Sequence, residues 1–445
     1  MKKVLLLVLP FITFSSFAQN SPQAFSLKAA QDYAELNSFS VQDKKLGYEK
    51  AKKQILETAA IGLPQLSVNA DYTYNSQLAQ TPLPDGFIGP ADGEPDLVAF
   101  GVEHQTTAAF SLNQLIFDAS YLVALKATTV VKDIANLNTE KAKIDIRSEI
   151  ANTYFLVAVT KENVRLTEEN VKTLKKNLFE VQEYFKNGLL EEQDADQVEI
   201  LLLQQEGSLE SLQRSLILAE KILKFQMGIS SDADVNFTET IETLMSSNQS
   251  DSQLLSEKFD RNSHIDYKIM EAQRLGSKLQ LQNQWNTIYP SLSGFLRHTE
   301  SNFGNDNFNA FQFDQPWIPG TALGLSLRWN VFQGSGRIAR IQMAKVDLER
   351  VDLALDANNT NLDIQYETDK SNFENALSNF NTQKRNLALS TKIRDRTRIK
   401  FKEGIASSLD LTQAENQQTQ AQGAYFQAVL NLLNSKVQLA KTLGM

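Results

Sequence analysis

Cysteine and histidine, which carry much of the metal and nucleophilic chemistry of proteins, are sparse in this chain of 445 residues. The chain contains no cysteine, and none of its histidines, His104, His264 and His298, has a second possible metal ligand three or four residues further on. Gly334-Ser335-Gly336 is typical of a turn rather than of a phosphate-binding loop. No Ser-His-Asp spacing, pair of catalytic carboxylates or nucleotide motif is recognisable. We therefore expect no metal ion, no cofactor and no enzymatic activity.

Two aspartates stand at matched positions. Asp194 lies six residues after Gly188, and Asp410 lies six residues after Gly404. Glycine commonly ends a helix, and an acidic residue in the first turn of the next helix caps free backbone N–H groups and interacts favourably with the helix dipole. Helix capping is thus one interpretation of both carboxylates.

The matched aspartates belong to a repeat that covers most of the chain. Residues 184–189 (YFKNGL) align with residues 400–405 (KFKEGI) at an offset of 216 (404 minus 188), and the same offset relates Gly228 to Gly444 (444 minus 228). The repeat predicts the order helix, strand, loop, strand, long helix, glycine turn and long helix, twice over.

The predicted organisation has four parts. Residues 1–18 form a signal peptide, 19–228 the first repeat, 229–260 a linker or equatorial region, and 261–445 the second repeat. The predicted strands lie at about 65–75, 106–117, 290–299 and 321–332. The predicted long helices lie at 118–187, 192–228, 336–402 and 407–443.

The first 18 residues have the parts of a secretory signal peptide. Lys2 and Lys3 precede the apolar run Val4–Phe14, and the small-residue step Ser16-Phe17-Ala18 follows. The apolar run is interrupted by Pro10 and is shorter than the about 20 residues that a membrane-spanning helix requires. An exported chain without cysteine folds without disulfides, and the net charge of −9 argues against binding to nucleic acid.

Strict alternation of apolar and polar residues predicts strands after Pro64 and after Gly320. Each segment has the length of about 10 residues that a tilted transmembrane strand requires, although a half-buried strand of a soluble sheet explains any one segment equally well. The residues expected to face lipid are Leu66, Val68, Tyr72, Tyr74, Leu323, Leu325, Leu327 and Trp329. Four strands make only two hairpins, and open edges cannot face hydrocarbon. A barrel must therefore close with other copies of the chain.

The segment from Asp118 to Asn187 has neither proline nor glycine, and apolar residues recur at every seventh position from Ile150 to Phe185. Such heptads indicate a coiled coil, and about 70 residues of helix span roughly 100 Å. An ordinary coiled coil accounts for the heptads but not for the attached strands. Antiparallel helix pairs that turn at Gly188 and Gly404, with strands at their other end, favour a long helical rod that is attached to a membrane by its strands.

Several motifs in this order resemble the TolC-type outer-membrane efflux proteins over nearly the whole mature chain. They are Leu63-Pro64-Gln65-Leu66, Gln114-Leu115-Ile116-Phe117-Asp118, the two Phe-Lys-x-Gly turns and Leu443-Gly444. The resemblance implies an α+β membrane protein: a homotrimer with a 12-stranded outer-membrane β-barrel, four strands from each chain, continuous with a long α-helical coiled-coil tunnel in the periplasm. A periplasmic adaptor protein and an inner-membrane pump would dock at the hairpin tips. These tips comprise Asn187, Gly188, Leu189, Glu403, Gly404 and Ile405.

The resemblance also implies a periplasmic constriction ringed by Asp410, with Asp194 as its counterpart in the first repeat. A ring of carboxylates favours cations, and the capping role remains open beside it. The chain departs from the family's best-known gate, because Gln413 replaces a second aspartate, and Phe401 and Ala406 replace a tyrosine and an arginine. We expect the closed state to rest on apolar packing around Phe401.

These features together predict the exit duct of a tripartite efflux or type I secretion system in the outer membrane. The duct would export small molecules or proteins passively. A periplasmic coiled-coil adaptor is the alternative, although adaptors have a single hairpin and lack duplicated amphipathic strands. A secreted enzyme is a weaker alternative because no set of catalytic residues converges. The sequence does not identify the cargo.

Overall fold

The structure, a computed structural model, describes residues 23–91, 93, 95–246, 251–304 and 316–445. The predicted signal peptide (1–18) lies outside the described residues. So do the start of the predicted first repeat (19–22), part of the predicted linker (247–250) and residues 305–315 of the second repeat.

Within these ranges the chain forms nine α-helices. They are α1 (Leu27–Asn37), α2 (Phe39–Ala60), α3 (Ala119–Lys186), α4 (Glu192–Met227), α5 (Ile241–Ser246), α6 (Asp251–Ser256), α7 (Ile265–Asn286), α8 (Gly336–Lys402) and α9 (Ser408–Thr442). The four long helices, α3, α4, α8 and α9, occupy the segments for which long helices are predicted.

The same ranges contain eight strands. They are β1 (Gln23–Phe25), β2 (Gln65–Tyr74), β3 (Gln80–Leu83), β4 (Asp96–Ala99), β5 (His104–Phe117), β6 (Val235–Phe237), β7 (Ser291–Gly304) and β8 (Ile318–Arg328). Strands β2, β5, β7 and β8 occupy the segments for which strands are predicted, but β8 ends at Arg328, so Trp329 lies one residue beyond it. The short pairs β1–β6 and β3–β4 are additional to the sequence prediction.

The chain divides into two compact units. One comprises the described part of Met1–Lys44 together with Thr139–Ile265 and Thr360–Met445, and the other comprises Lys45–Asn138 and Asp266–Asn359. The long helices α3 and α8 each contribute residues to both units.

The first unit is built on packed helices. The heptad positions Ile150, Val157, Val164 and Val171 of α3 are all buried, as coiled-coil packing requires. Its largest core cluster also includes Tyr154, Leu223, Met227, Phe373, Val429 and Leu433. The hydroxyl of Tyr154 donates to the Phe25 carbonyl at 2.9 Å and accepts from the Glu239 amide at 3.1 Å. These bonds satisfy a buried polar group, and they anchor the chain beside the parallel pair β1–β6.

The second unit contains a four-stranded antiparallel sheet in the order β2-β5-β7-β8. The hairpin of each repeat thus lies beside the other, joined through β5 and β7, and β2 and β8 are the edges of the sheet. The β5–β7 register shifts between Leu115 and Phe117, where β5 ends. Asp118 then caps the start of α3, because its Oδ1 accepts from the backbone amides of Ser120 and Tyr121 at 2.8 and 3.0 Å.

Candidate functional site

One face of the four-stranded sheet is mostly apolar across both repeats, and we call it the apolar face, although His298 and Glu300 of β7 also lie on it. Residues directly opposite each other in antiparallel strands share a face. Leu66 pairs with Leu112, Leu112 with Leu296, and Leu296 with Leu323. The register therefore places one row of leucines across all four strands. Hairpins that are far apart in the chain combine their apolar sides into one surface.

The eight residues predicted to face lipid are all exposed in the single chain. Leu323 is 82 % exposed and Leu66 72 %, the highest values among the large apolar side chains of their strands. The other members of this set are Val68, Tyr72, Tyr74, Leu325, Leu327 and Trp329. The first seven in chain order lie on the apolar face by register, and Trp329 continues the alternation beyond β8. An exposed apolar surface of this extent marks a contact with lipid or another chain.

Aromatic residues with polar partners lie at both ends of this face. At the end of β2, the Tyr72 hydroxyl is 2.8 Å from His104 Nδ1, and the Tyr74 ring stacks on His104 with 4.8 Å between ring centroids. At the end of β8, Trp329 Nε1 donates to the Ile288 carbonyl at 3.1 Å. Aromatic residues that combine an apolar ring with a polar group are typical of the two interfaces of a membrane.

The two hairpin tips have the same backbone geometry. Gly188 and Gly404 adopt φ of 72° and 73°, and the next residues, Leu189 and Ile405, donate to carbonyls five positions back at 2.9 and 2.8 Å. This arrangement is the glycine-dependent helix end known as the Schellman motif. It leaves the Leu189 and Ile405 side chains 70 % and 75 % exposed. The predicted tip residues Asn187 and Glu403 flank the glycines, and their side chains are exposed too.

Both matched aspartates cap the helix that follows the tip. Asp410 Oδ2 accepts from the Ser407 amide at 3.0 Å and from the Ser407 hydroxyl at 2.8 Å. Asp194 Oδ2 accepts from the Glu191 amide at 3.1 Å. The bonds from Ser407 lower the pKa of Asp410 below its ordinary value. Asp410 therefore remains ionised at neutral pH.

The surroundings of the two aspartates differ. Asp194 is partly buried, and its Oδ1 accepts from the hydroxyl of Ser408, which also lies 3.1 Å from Gln197 Oε1. Asp194 thereby links α4 to α9. Asp410 and Gln413 have exposed side chains. Of the matched pair, Asp410 is the carboxylate that can face solvent or a pore.

Phe401 lies against an apolar cluster near the tips. The cluster is formed by the buried residues Val181, Ala195 and Val198 of α3 and α4. Phe401 thus attaches the end of α8 to the first helical hairpin. A lysine one residue later adds an ion pair between the same elements, with 3.2 Å from Lys402 Nζ to Glu180 Oε2.

Sequence reasoning missed a buried ion pair inside the second hairpin. Arg398 of α8 donates to Glu415 of α9, and the two side chains are only 21 % and 6 % exposed. A signal was available, because Leu411, Glu415, Gln418 and Gln422 follow the three- and four-residue spacing of a coiled-coil seam. Polar residues in such a seam indicate buried polar contacts.

Further polar contacts join α9 to the first hairpin. Gln422 Nε2 donates to Asn163 Oδ1 at 3.0 Å, and Asn170 Nδ2 donates to Gln422 Oε1 at 3.3 Å. Gln205 Nε2 donates to Thr419 Oγ1 at 3.1 Å. Between the apolar cluster around Phe401 and the apolar core around Val429 and Leu433, the contact between the two hairpins therefore includes several polar bonds.

In the described portion of the chain, no three or more His, Asp or Glu side chains come together as metal ligands would. The helices within that portion include none that is both long and apolar enough to cross a membrane.

Comparison with known proteins identifies the fold. VceC, an outer membrane protein of Vibrio cholerae, shares 16 % sequence identity, with 94 % of this chain and 96 % of VceC covered and a TM-score of 0.70. CusC, whose structures concern folding and transmembrane channel formation, shares 14 % identity over 96 % of this chain and 95 % of its own, with a TM-score of 0.73. The MtrE outer membrane channel of Neisseria gonorrhoeae, solved in an open state, shares 16 % identity over 94 % of this chain and 88 % of its own, with a TM-score of 0.70.

Sequence comparison identifies the family. No curated protein matches the chain, whereas the model of the outer membrane efflux protein family matches residues 31–228 and 271–445. The two matched segments correspond to the two repeats, and nothing in either comparison favours a periplasmic adaptor. The chain therefore belongs to the outer membrane efflux protein family, and it is an efflux channel of the outer membrane that extends into the periplasm.

Proposed function

We propose that three copies of this chain form one closed 12-stranded barrel and act as the passive exit duct of a tripartite export system. The sheet of one chain supports this proposal most directly. Its strand directions alternate, so β8 of one copy and β2 of the next would meet antiparallel, as a closed barrel of hairpins requires. Closure would satisfy the backbone groups of both edges, which is obligatory in hydrocarbon.

The apolar face of the sheet would then contact outer-membrane lipid. It carries exposed leucines in register across the four strands and aromatic residues at its two ends. The opposite face carries Ser67, Asn69, Asp71 and Thr73 on β2 alone, and it suits a water-filled lumen. In this assembly residues 1–18 would be removed as a signal peptide.

The hairpin tips would meet the partner proteins. Each chain offers two tips of equal geometry with an exposed aliphatic residue, so a trimer would present six. A periplasmic adaptor and an inner-membrane pump would engage them, and the pump would supply the energy. The duct itself would catalyse nothing.

The assembly is tested by purification from outer membranes in detergent, followed by mass measurement and planar-bilayer recording. We expect a particle of three chains that conducts ions. A soluble monomer, or a trimer without conductance, would contradict the proposed duct.

Asp410 would form the charged ring of the periplasmic constriction. Its side chain is exposed and ionised, whereas that of Asp194 is bonded to Ser408. Replacing Asp410 by Asn should lower cation selectivity, measured as the reversal potential in a salt gradient. Asp196→Asn is the control, because Asp196 is also exposed but lies in the first repeat. Equal reversal potentials for Asp410→Asn and the unmodified channel would show that Asp410 does not lie in the constriction.

A further inference from the structure

The polar face of the four-stranded sheet carries a cation in its middle. Ser67 pairs with Ser111, Ser111 with Arg297, and Arg297 with Ala322. These four residues share the face opposite to the leucine row. The neighbours of Arg297 in this row are all small, so its long side chain extends beyond them.

Among the residues that the structure describes, Arg297 has no partner for its charge. Its side chain is exposed, and among the described residues it makes neither an ion pair nor a side-chain hydrogen bond. A guanidinium stays protonated at every accessible pH. The positive charge at this position is therefore permanent.

The other charges on the same face of the four strands, as far as the structure describes them, are distant. Asp71 of β2 pairs with Thr107, which pairs with Ser301 of β7, four residues from Arg297. Four residues along a strand and two strand spacings separate the two charges by about 16 Å, more than the Debye length of about 10 Å at 0.1 M salt. Arg328 of β8 lies opposite Ser291, at the helical end of the sheet.

We propose that Arg297 forms a cationic ring inside the barrel that attracts anionic solutes and makes the lumen selective for cargo bearing carboxylate, sulfate or phosphate groups. The proposal rests on the proposed trimer, in which three copies of Arg297 would lie at one level of the pore. Rings of Arg or Lys select anions in other pores by the same electrostatic attraction. The ring lies in the sheet, whereas the constriction assigned to Asp410 lies at the start of α9. The channel would thus have two filters of opposite sign.

The absence of cysteine makes a direct test possible. In the Asp410→Asn background, which removes the charge of the proposed periplasmic constriction, Arg297→Cys provides a single thiol. Loss of the guanidinium should shift the reversal potential toward cation selectivity. A sulfonate-bearing methanethiosulfonate reagent should shift it further, and an ammonium-bearing one should shift it back. Arg297→Lys in the same background should have the reversal potential of the Asp410→Asn channel, because the positive charge is kept.

His298→Cys is the matched control. His298 is the next residue and belongs to the apolar face, where its ring contacts Thr321 Oγ1 at 2.8 Å. Neither reagent should change the current through that variant. The proposal is wrong if reagents leave the reversal potential of Arg297→Cys unchanged, or if the two cysteine variants respond alike. Either result, obtained on conducting trimers, would leave the export duct itself intact.

Discussion

At the scale of single residues, two glycines end the return helices of the two repeats under different constraints. Gly228 and Gly444 both adopt a left-handed backbone, with φ of 77° and 79°. A Cβ on Gly228 would lie 2.3 Å from the carbonyl oxygen of Asn37, whereas a Cβ on Gly444 would lie no closer than 3.8 Å to Ser263 Oγ. At Gly228 a larger residue is therefore disfavoured both by the left-handed backbone and by the lack of room for a Cβ. At Gly444 it is disfavoured by the left-handed backbone alone.

Alanine substitutions separate these two requirements. Gly444→Ala should lower the free energy of unfolding by about 1 kcal/mol, the usual penalty for an alanine in the left-handed region. Gly228→Ala should cost clearly more, because the backbone of α1 would have to move as well. Thermal unfolding of the purified variants, followed by the helical circular dichroism signal, measures the difference. Equal melting temperatures would show that the Asn37 contact relaxes without cost.

Phe295 and Gly324 form a matched pair on the polar face of the sheet. They lie opposite each other in β7 and β8, and a Cβ on Gly324 would lie 2.8 Å from Phe295 Cζ. The aromatic ring therefore covers the glycine, an arrangement that compensates for the missing side chain in a strand.

We expect Gly324→Ala to reduce the yield of heat-resistant trimer, because the Phe295 ring would have to leave its position. Gly320→Ala is the control on the same strand and the same face, where the nearest atom, Thr299 O, is 4.0 Å from the added Cβ. Gel electrophoresis of unheated and heated membranes measures the trimer. A second variant, Gly324→Ala with Phe295→Leu, should recover part of the yield, and no recovery would point away from the ring as the cause.

At the scale of elements, the buried pair between Arg398 and Glu415 connects the two helices of the second hairpin. Removing one member of a buried ion pair costs about 3 kcal/mol or more, because the remaining charge is left without a partner. Glu415→Ala should therefore loosen α8 against α9. Hydrogen exchange of the backbone amides in α9 should rise well above that of the unmodified protein.

An exposed pair on another long helix provides the comparison. Arg214 and Glu210 of α4 are 65 % and 68 % exposed, and such pairs contribute at most about 1 kcal/mol. Glu210→Ala should leave hydrogen exchange nearly unchanged. If Glu415→Ala and Glu210→Ala behave alike, the Arg398 pair contributes little to the hairpin.

Sequence periodicity predicts the long elements because their signals extend over many residues. Alternation from Leu66 to Tyr74 and heptads from Ile150 onward need no knowledge of distant neighbours. The pair β3–β4 has only four residues in each strand and includes Pro82, so its periodicity is too short to detect. The Arg398–Glu415 pair depends on how two helices pack, which single-helix patterns do not specify. The same reason applies to Arg297, whose significance depends on the register of β5, β7 and β8.

At the scale of the whole molecule, the duplication gives one chain two tips with the same backbone geometry at the turning glycine. Leu189 and Ile405 occupy the same position after the turning glycine, and both are largely exposed. Exposed side chains contribute little to folding, so both residues can contact another protein without a cost to the stability of the hairpins. In the proposed trimer both types of tip would be available to an adaptor.

Polar substitutions at the tips should therefore reduce pump-dependent export and leave the conductance of the channel unchanged. We expect Leu189→Ser and Ile405→Ser to form trimers with unchanged single-channel conductance but to reduce pump-dependent export in cells. Leu46→Ser is the control, because Leu46 is 72 % exposed but belongs to α2, outside the tips. Normal export by the double variant Leu189→Ser/Ile405→Ser would exclude the tips as the docking site. A loss confined to one of the single variants would show that the adaptor distinguishes the two repeats, which their equal backbone geometry alone does not require.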